Sequence, residues 1–306
     1  MTASPFTALG IDVGGTKIAA GAVTFPDGRV HLRREIPTRA ERGGEAVLDD
    51  VLQLATELTT EAGAQNFQLN GIGLGVCELV SNSGEIVSSN CLRWRSADVR
   101  EGLATVAPTV IEADVRAAAL AEAIFGAGRQ NRVFVYVTVG TGISSCLVLD
   151  GKPFTGARGV TGTAASSLLP HLGQPWDSGA PATLEQIASG PALVVRFNQL
   201  HGHAQSGQEV LTAARSGNAS ALTVVRTAGE ALGATIAWLV NVLDPETVII
   251  GGGLGLSEGP YWDSLIVSTR KHIYSDLHRD LPILRAATGA DAGVIGAAAA
   301  AWKKIS

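Results

Sequence analysis

The chain has 306 residues, 46% apolar and 17% charged, which describes a globular, core-forming sequence long enough for two domains and excludes a disordered one. A net charge of −5 argues against a general nucleic-acid binder, which would carry a basic face. Three cysteines with no C-x-x-C pair argue against a disulfide framework or zinc ribbon and fit a reducing cytoplasm. The first residues show no signal-peptide pattern, and no apolar run reaches the roughly 18 residues of a membrane helix, so a cytoplasmic protein is expected.

Residues 9–28, LGIDVGGTKIAAGAVTFPDG, read as a strand, a glycine turn and a returning strand closed by a Pro-Asp-Gly turn. The turn resembles a phosphate cradle, but its spacing fails two tests. Gly15 is followed by Thr16 before Lys17, which breaks the Walker loop, and Asp12 stands where the dinucleotide fingerprint needs its second glycine. A helix is predicted over 43–63 and strands at GIGLGVCELV (71–80) and TVIEAD (109–114), followed by a helix over 115–128. Strands then recur at RVFVYVTVG (132–140), ISSCLVLDG (143–151) and TVIIGGG (247–253), with a long helical region from 183 to 243. The alanine-rich end, 292–305, reads as a packed helix finishing in Lys303 and Lys304, cations suited to a helix C-terminus.

Alternating strands and helices point to α/β layers. DVGGTKIAAGAVTFPDG and TVGTGISSCLVLDG share a strand end, a glycine-threonine turn, a returning strand and an Asp-Gly turn. That weak repeat predicts two related halves, each offering a glycine turn to a phosphate-binding cleft.

GIDVGGTKIAAG, DVRAAALAEAIFGAG, VTVGTGIS, LEQIASG and VIIGGG fall in the order and spacing of the ROK family. The chain resembles this family, the sugar kinases and sugar-responsive repressors of the actin-like ATPase superfamily, over nearly its whole length. The resemblance implies two actin-like (ribonuclease H-like) domains with an interdomain cleft. Residues 1–115, joined by the C-terminal helix 291–306, would form one domain and 116–290 the other. It also implies ATP as co-substrate, magnesium and a cytoplasmic homodimer, while the acidic charge and the lack of a membrane-length apolar run leave neither nucleic acid nor membrane expected as partner.

Residue by residue, the resemblance places Asp12 beside the magnesium, through water, since a hard cation prefers such oxygens; an aspartate capping its own turn is the plainer reading. Gly14, Gly15 and Thr16 would bring backbone amides against phosphate, with Lys17 either a point charge or a solvated edge residue. Gly140, Thr141 and Gly142 resemble the second phosphate turn, and Gly251, Gly252 and Gly253 the segment against adenosine. Asp114, at a strand end that opens a helix, would accept the proton of the attacking hydroxyl, a position where aspartate also serves as an N-cap. Asn90 and Glu185 stand where the family meets its acceptor.

The chain departs from the family around the sugar. Ala113 replaces the usual Asn, and Thr163 and Ser166 fall at the Glu and His of a Gly-Glu-x-Gly-His segment. The family's zinc cysteines are missing from GQPWDSGAPAT (173–183), and His171 alone is not a zinc site, so no zinc is expected. Glu78, in a turn where the family has Pro-Gly, would replace a lost acceptor contact or face solvent. A pocket changed in this way is not expected to suit glucose or an N-acetylated hexosamine. The expectation is an ATP-dependent kinase for a primary hydroxyl of an atypical sugar, sugar derivative or cyclitol. The alternatives are a sugar sensor without a DNA-binding module and a polyphosphate-using kinase.

Overall fold

The first hairpin forms as read in the computed structural model, which describes residues 6–167 and 182–306. β1 (Phe6–Val13) and β2 (Lys17–Phe25) pair antiparallel, and β3 (Arg29–Pro37) adds to β2 as an edge strand. The sequence of β3, RVHLRREIP, carries no strand signal because little of it is buried. α1 (Gly44–Ala64) buries Val47, Val51, Leu54 and Leu58 at helical spacing. β4 (Leu69–Val76) runs parallel to β1, α2 (Ser96–Ala104) follows, and β5 (Thr109–Ala113) runs parallel to β4 and passes directly into α3 (Asp114–Ile124). The sheet order is β3-β2-β1-β4-β5.

The second half begins with the hairpin of β6 (Val133–Val139) and β7 (Ile143–Leu149), then the short β8 (Lys152–Pro153). The region read as one long helical stretch holds α4 (Leu184–Ala188), α5 (Gly190–Gln199), α6 (Gly207–Arg215) and α7 (Ala219–Leu243). The breaks fall at capping residues: Ser189, Ser206 and Asn218 each accept a backbone N–H from the first turn of the helix that follows. β9 (Thr247–Gly251), α8 (Pro260–His272), α9 (Asp276–Arg279), β10 (Ile283–Arg285) and α10 (Ala292–Ile305) complete the chain.

The second sheet has the order β10-β9-β6-β7-β8, which repeats the first when read from β8. β6 and β7 are antiparallel like β1 and β2, and β9 and β10 run parallel to β6 as β4 and β5 do to β1. The sequence repeat therefore corresponds to a duplicated topology.

Two compact units result. One contains residues 6–130, 151–161 and 287–306; the other contains 131–150 and the described part of 162–286. The first break falls at Gln130, later than the 115 read from the sequence, because α3 packs on α10 and stays with the first unit. In the first unit, Leu9, Ile11 and Val13 face α1, while Ala8 and Gly10 face α10, as strand alternation requires. The sheet and α10 approach closely: a methyl on Gly73 would lie 1.7 Å from the Ala297 carbonyl oxygen. Alanine at 297–301, all buried, is what such an approach permits. The second core packs Val135, Val137 and Val139 with Val248 and Ile250 against Leu232 and Ile236 of α7.

Candidate active site

In the first unit, the chemistry gathers at the carboxyl ends of β1, β4 and β5. β1 delivers Asp12, and the turn after it is pinned by a Gly14 N–H bond to the Lys17 carbonyl at 3.0 Å. Thr38, fully buried, holds the same turn twice: its Oγ1 donates to Gly14 O at 2.6 Å and its N–H to Thr16 O at 3.0 Å. The Lys17 ammonium is paired with Glu35 at 3.0 Å on the exposed β2–β3 ladder, so the structure gives it a surface partner. Gly15 lies in this turn, partly exposed, and Thr16 is exposed.

The Asp12 carboxylate sits against the first turn of α10, where a methyl on Gly293 would lie 2.1 Å from its Oδ2. That helix end favours an anion. Burial nevertheless raises Asp12 to about 6, with Lys17 opposing. Among the described residues, no group donates a hydrogen bond to this carboxylate. A hard oxygen donor left without partners beside a helix terminus fits a hydrated divalent cation.

Asp114 is the first residue of α3, and Ala113 takes the N-cap position. The N-cap reading of Asp114 is thus corrected: strand and helix join with no residue between them, so the extended Ala113 becomes the cap. Asp114 Oδ1 accepts the adjacent Val115 N–H at 2.6 Å. Burial first, and then the charge of Asp12, raise Asp114 to about 7. The two carboxylates therefore titrate as an interacting pair.

Glu78 has a definite occupation. Oε2 accepts the Ser88 hydroxyl and the Asn90 N–H, and Oε1 accepts the Cys91 N–H at 2.6 Å and the Leu92 N–H at 2.9 Å. Burial opposes its ionisation, but these four bonds prevail and hold its pKa below the ordinary value. With both oxygens spent on loop 88–92, Glu78 is an anchor that leaves the exposed Asn90 side chain free of partners among the described residues.

The second unit assembles its glycine turns on one strand end. Gly140 N–H bonds Gly142 O at 2.9 Å, and Gly190 N–H bonds Gly140 O at 2.8 Å. Glu185, in the first turn of α4, accepts the Ile143 N–H at 2.9 Å, and a methyl on Gly142 would lie 2.8 Å from its Oε2. Glu185 thus braces the turn that contains Thr141. Gly252 has φ +83° and presses on the end of β6, so a side chain there would be both strained and blocked by Val139. Leu254 and Gly255 N–H groups both donate to Val139 O, tying the Gly251–Gly253 turn to the end of β6 and so to the first turn. Gly253 has open space where a side chain would be. Thr163 and Ser166 are exposed around a short 3-10 turn, and His171 lies outside the described residues, as does most of 173–183.

Sequence reasoning missed Gly293, Thr38 and the loop-anchoring roles of Glu78 and Glu185. None has a local signature, since each acts on a segment distant in the chain. Among the described residues, no cluster of His, Cys, Asp or Glu could hold a metal by three or more side chains, and no helix is long and apolar enough to cross a membrane.

Residues 8–304 match the ROK family. The chain belongs to the ROK family. A glucokinase of Halalkalibacterium halodurans is 30% identical, with 94% of this chain and 92% of that protein covered. An N-acetylmannosamine kinase of Escherichia coli is 31% identical, with 95% and 97% covered. The ROK glucokinase of Streptomyces griseus, solved in complex with glucose and AMPPNP, superposes with TM-score 0.82 at 25% identity, covering 98% of this chain and 100% of that one. The two five-stranded units are accordingly the two actin-like domains of a ROK protein.

Proposed function

We propose that the protein transfers a phosphoryl group from ATP to a primary hydroxyl of an atypical sugar, sugar derivative or cyclitol, with Asp114 as the general base. The observation that carries this reading is Asp114 itself. It is a partly accessible carboxylate at the β5–α3 junction, raised to about 7 by burial and by its neighbour Asp12. A base with a pKa near neutrality keeps a large ionised share at pH 7 and is basic enough to take the hydroxyl proton in the transition state. The carbohydrate-kinase class is supported by relatives at 30–31% identity that act as a glucokinase and an N-acetylmannosamine kinase.

In this reading the Gly140–Gly142 and Gly251–Gly253 turns receive the nucleotide, through amides and through the open space at Gly253. Asp12 would hold magnesium, which when bound neutralises phosphate charge. Asn90, freed by Glu78, would bond an acceptor hydroxyl. Ala113, Thr163 and Ser166 supply no amide, carboxylate or imidazole, which favours an acceptor with a different hydroxyl pattern or a bulkier substituent than glucose.

A phosphorylation screen of sugars and cyclitols, with ATP against polyphosphate as donor, tests the assignment. With the best acceptor, Asp114→Asn is expected to bind ATP normally and to turn over about 100-fold more slowly. Wild-type turnover by that variant would remove Asp114 from the mechanism.

A further inference from the structure

Two of the three cysteines meet beside the base. β4 and β5 run parallel with Val76 opposite Ala113, so the residues that follow, Cys77 and Asp114, emerge side by side. Cys77 N–H is fixed to Val13 O at 3.1 Å. Glu78 then draws loop 88–92 back over this strand end through the Cys91 N–H. The loop packs Cys91 against the same core cluster as Cys77, and hydrogen bonding between the two thiols raises Cys77 and lowers Cys91. Cys77 and Cys91 are half-buried residues, whereas Cys146 is buried.

We propose that Cys77 and Cys91 form a hydroperoxide-reactive modification site whose disulfide arrests phosphoryl transfer. The second clause rests on the kinase reading above; the first does not. The Cys77 thiol, by hydrogen bonding, lowers Cys91 to about 7, so Cys91 is the attacking sulfur at neutral pH. Cys91 thiolate attacks hydrogen peroxide: an S–O bond forms, the O–O bond breaks, and the departing hydroxide takes up a proton as water. Cys91 is oxidised by two electrons to the sulfenic acid and the peroxide is reduced. The Cys77 sulfur then attacks Cys91: the S–S bond forms, the S–O bond breaks, and the Cys77 proton leaves with the hydroxyl as a second water. Closing the sulfurs to about 2.05 Å pulls the loop that carries Asn90 against the residue next to Asp114.

The reduced full chain is treated with hydrogen peroxide, residual thiols are alkylated, and the peptides are mapped while kinase activity is followed with the best acceptor. The expected result is an intramolecular Cys77–Cys91 crosslink with Cys146 still alkylated. Activity is expected to fall about 100-fold, the scale of an ångström-sized misplacement, and to return with dithiothreitol. Cys77→Ser, which keeps a hydrogen-bond donor to Cys91 but offers no resolving sulfur, is expected to stop at a Cys91 sulfenic acid that dimedone traps. Alkylation of both Cys77 and Cys91 after peroxide, or a crosslink between chains, overturns the site. A quantitative Cys77–Cys91 crosslink with undiminished activity overturns the arrest. If the reduced protein phosphorylates no acceptor, the kinase reading and the arrest fail together, and the crosslink map still decides the site.

Discussion

Replacing Asp114 by asparagine should make the metal-free protein more stable and less active, with the stabilisation dependent on pH. Burial and the neighbouring Asp12 raise Asp114 from 3.8 to about 7 in the folded chain. A carboxyl raised on folding binds its proton more tightly in the native state. Its ionisation therefore costs no stability below about pH 4, costs progressively more as pH rises, and reaches a constant penalty above about pH 7. The full difference of about 3 in pKa corresponds to about 4 kcal/mol at about 1.4 kcal/mol per pKa unit. Because the carboxyl is partly accessible, solvent relaxes part of that penalty, and about 2 kcal/mol is the expected gain at pH 8. Asparagine keeps the shape and removes the charge, so the gain should be near zero at pH 4 and complete by pH 8. Urea unfolding without magnesium, at pH 4, 6 and 8, measures it from the midpoints. A variant no more stable than wild type at pH 8, or equally stabilised at pH 4 and pH 8, would refute the claim that this carboxylate is held in a charge-disfavouring place.

Three further outcomes are expected. Gly293→Ala should leave the fold intact, because alanine suits a helix, while turnover falls about 100-fold as the Asp12 carboxylate is displaced; equal turnover in the two proteins would separate Asp12 from the chemistry. Glu78→Gln replaces two of the four hydrogen-bond acceptor positions with a donor group, so KM for the acceptor should rise about tenfold, for roughly 1–1.5 kcal/mol lost in loop 88–92, with KM for ATP unchanged; a matching rise for ATP would count against the anchoring role. For glucose, kcat/KM should be several powers of ten below that for the best modified sugar or cyclitol, since three missing hydrogen-bonding groups are each worth about 1–3 kcal/mol; efficient glucose phosphorylation in steady-state assays would show that Ala113, Thr163 and Ser166 are neutral changes.

Much of the architecture is local and was readable in the chain. The hairpin at 9–28 follows from apolar runs interrupted by glycine turns, and its echo at 138–151 anticipated two sheets of matching order. Asp12 and Asp114 were legible because each stands at the carboxyl end of a strand, Asp12 just before its last residue and Asp114 just after. The edge strands β3 and β10 were not, because partly exposed or short strands carry little alternation. Tertiary structure alone decided what the carboxylates do. Glu78 read as a replacement acceptor contact or a solvent-facing residue until loop 88–92 folded onto it, and that Glu185 also braces the 140–142 turn shows only when Ile143 offers its N–H. A carboxylate has the same oxygens wherever it stands. Whether they meet a ligand, a metal or the backbone depends on which distant segment arrives, and that is set by packing. The same holds for Gly293, an ordinary helix glycine until α10 is laid against the end of β1 and only a missing side chain leaves room for Asp12.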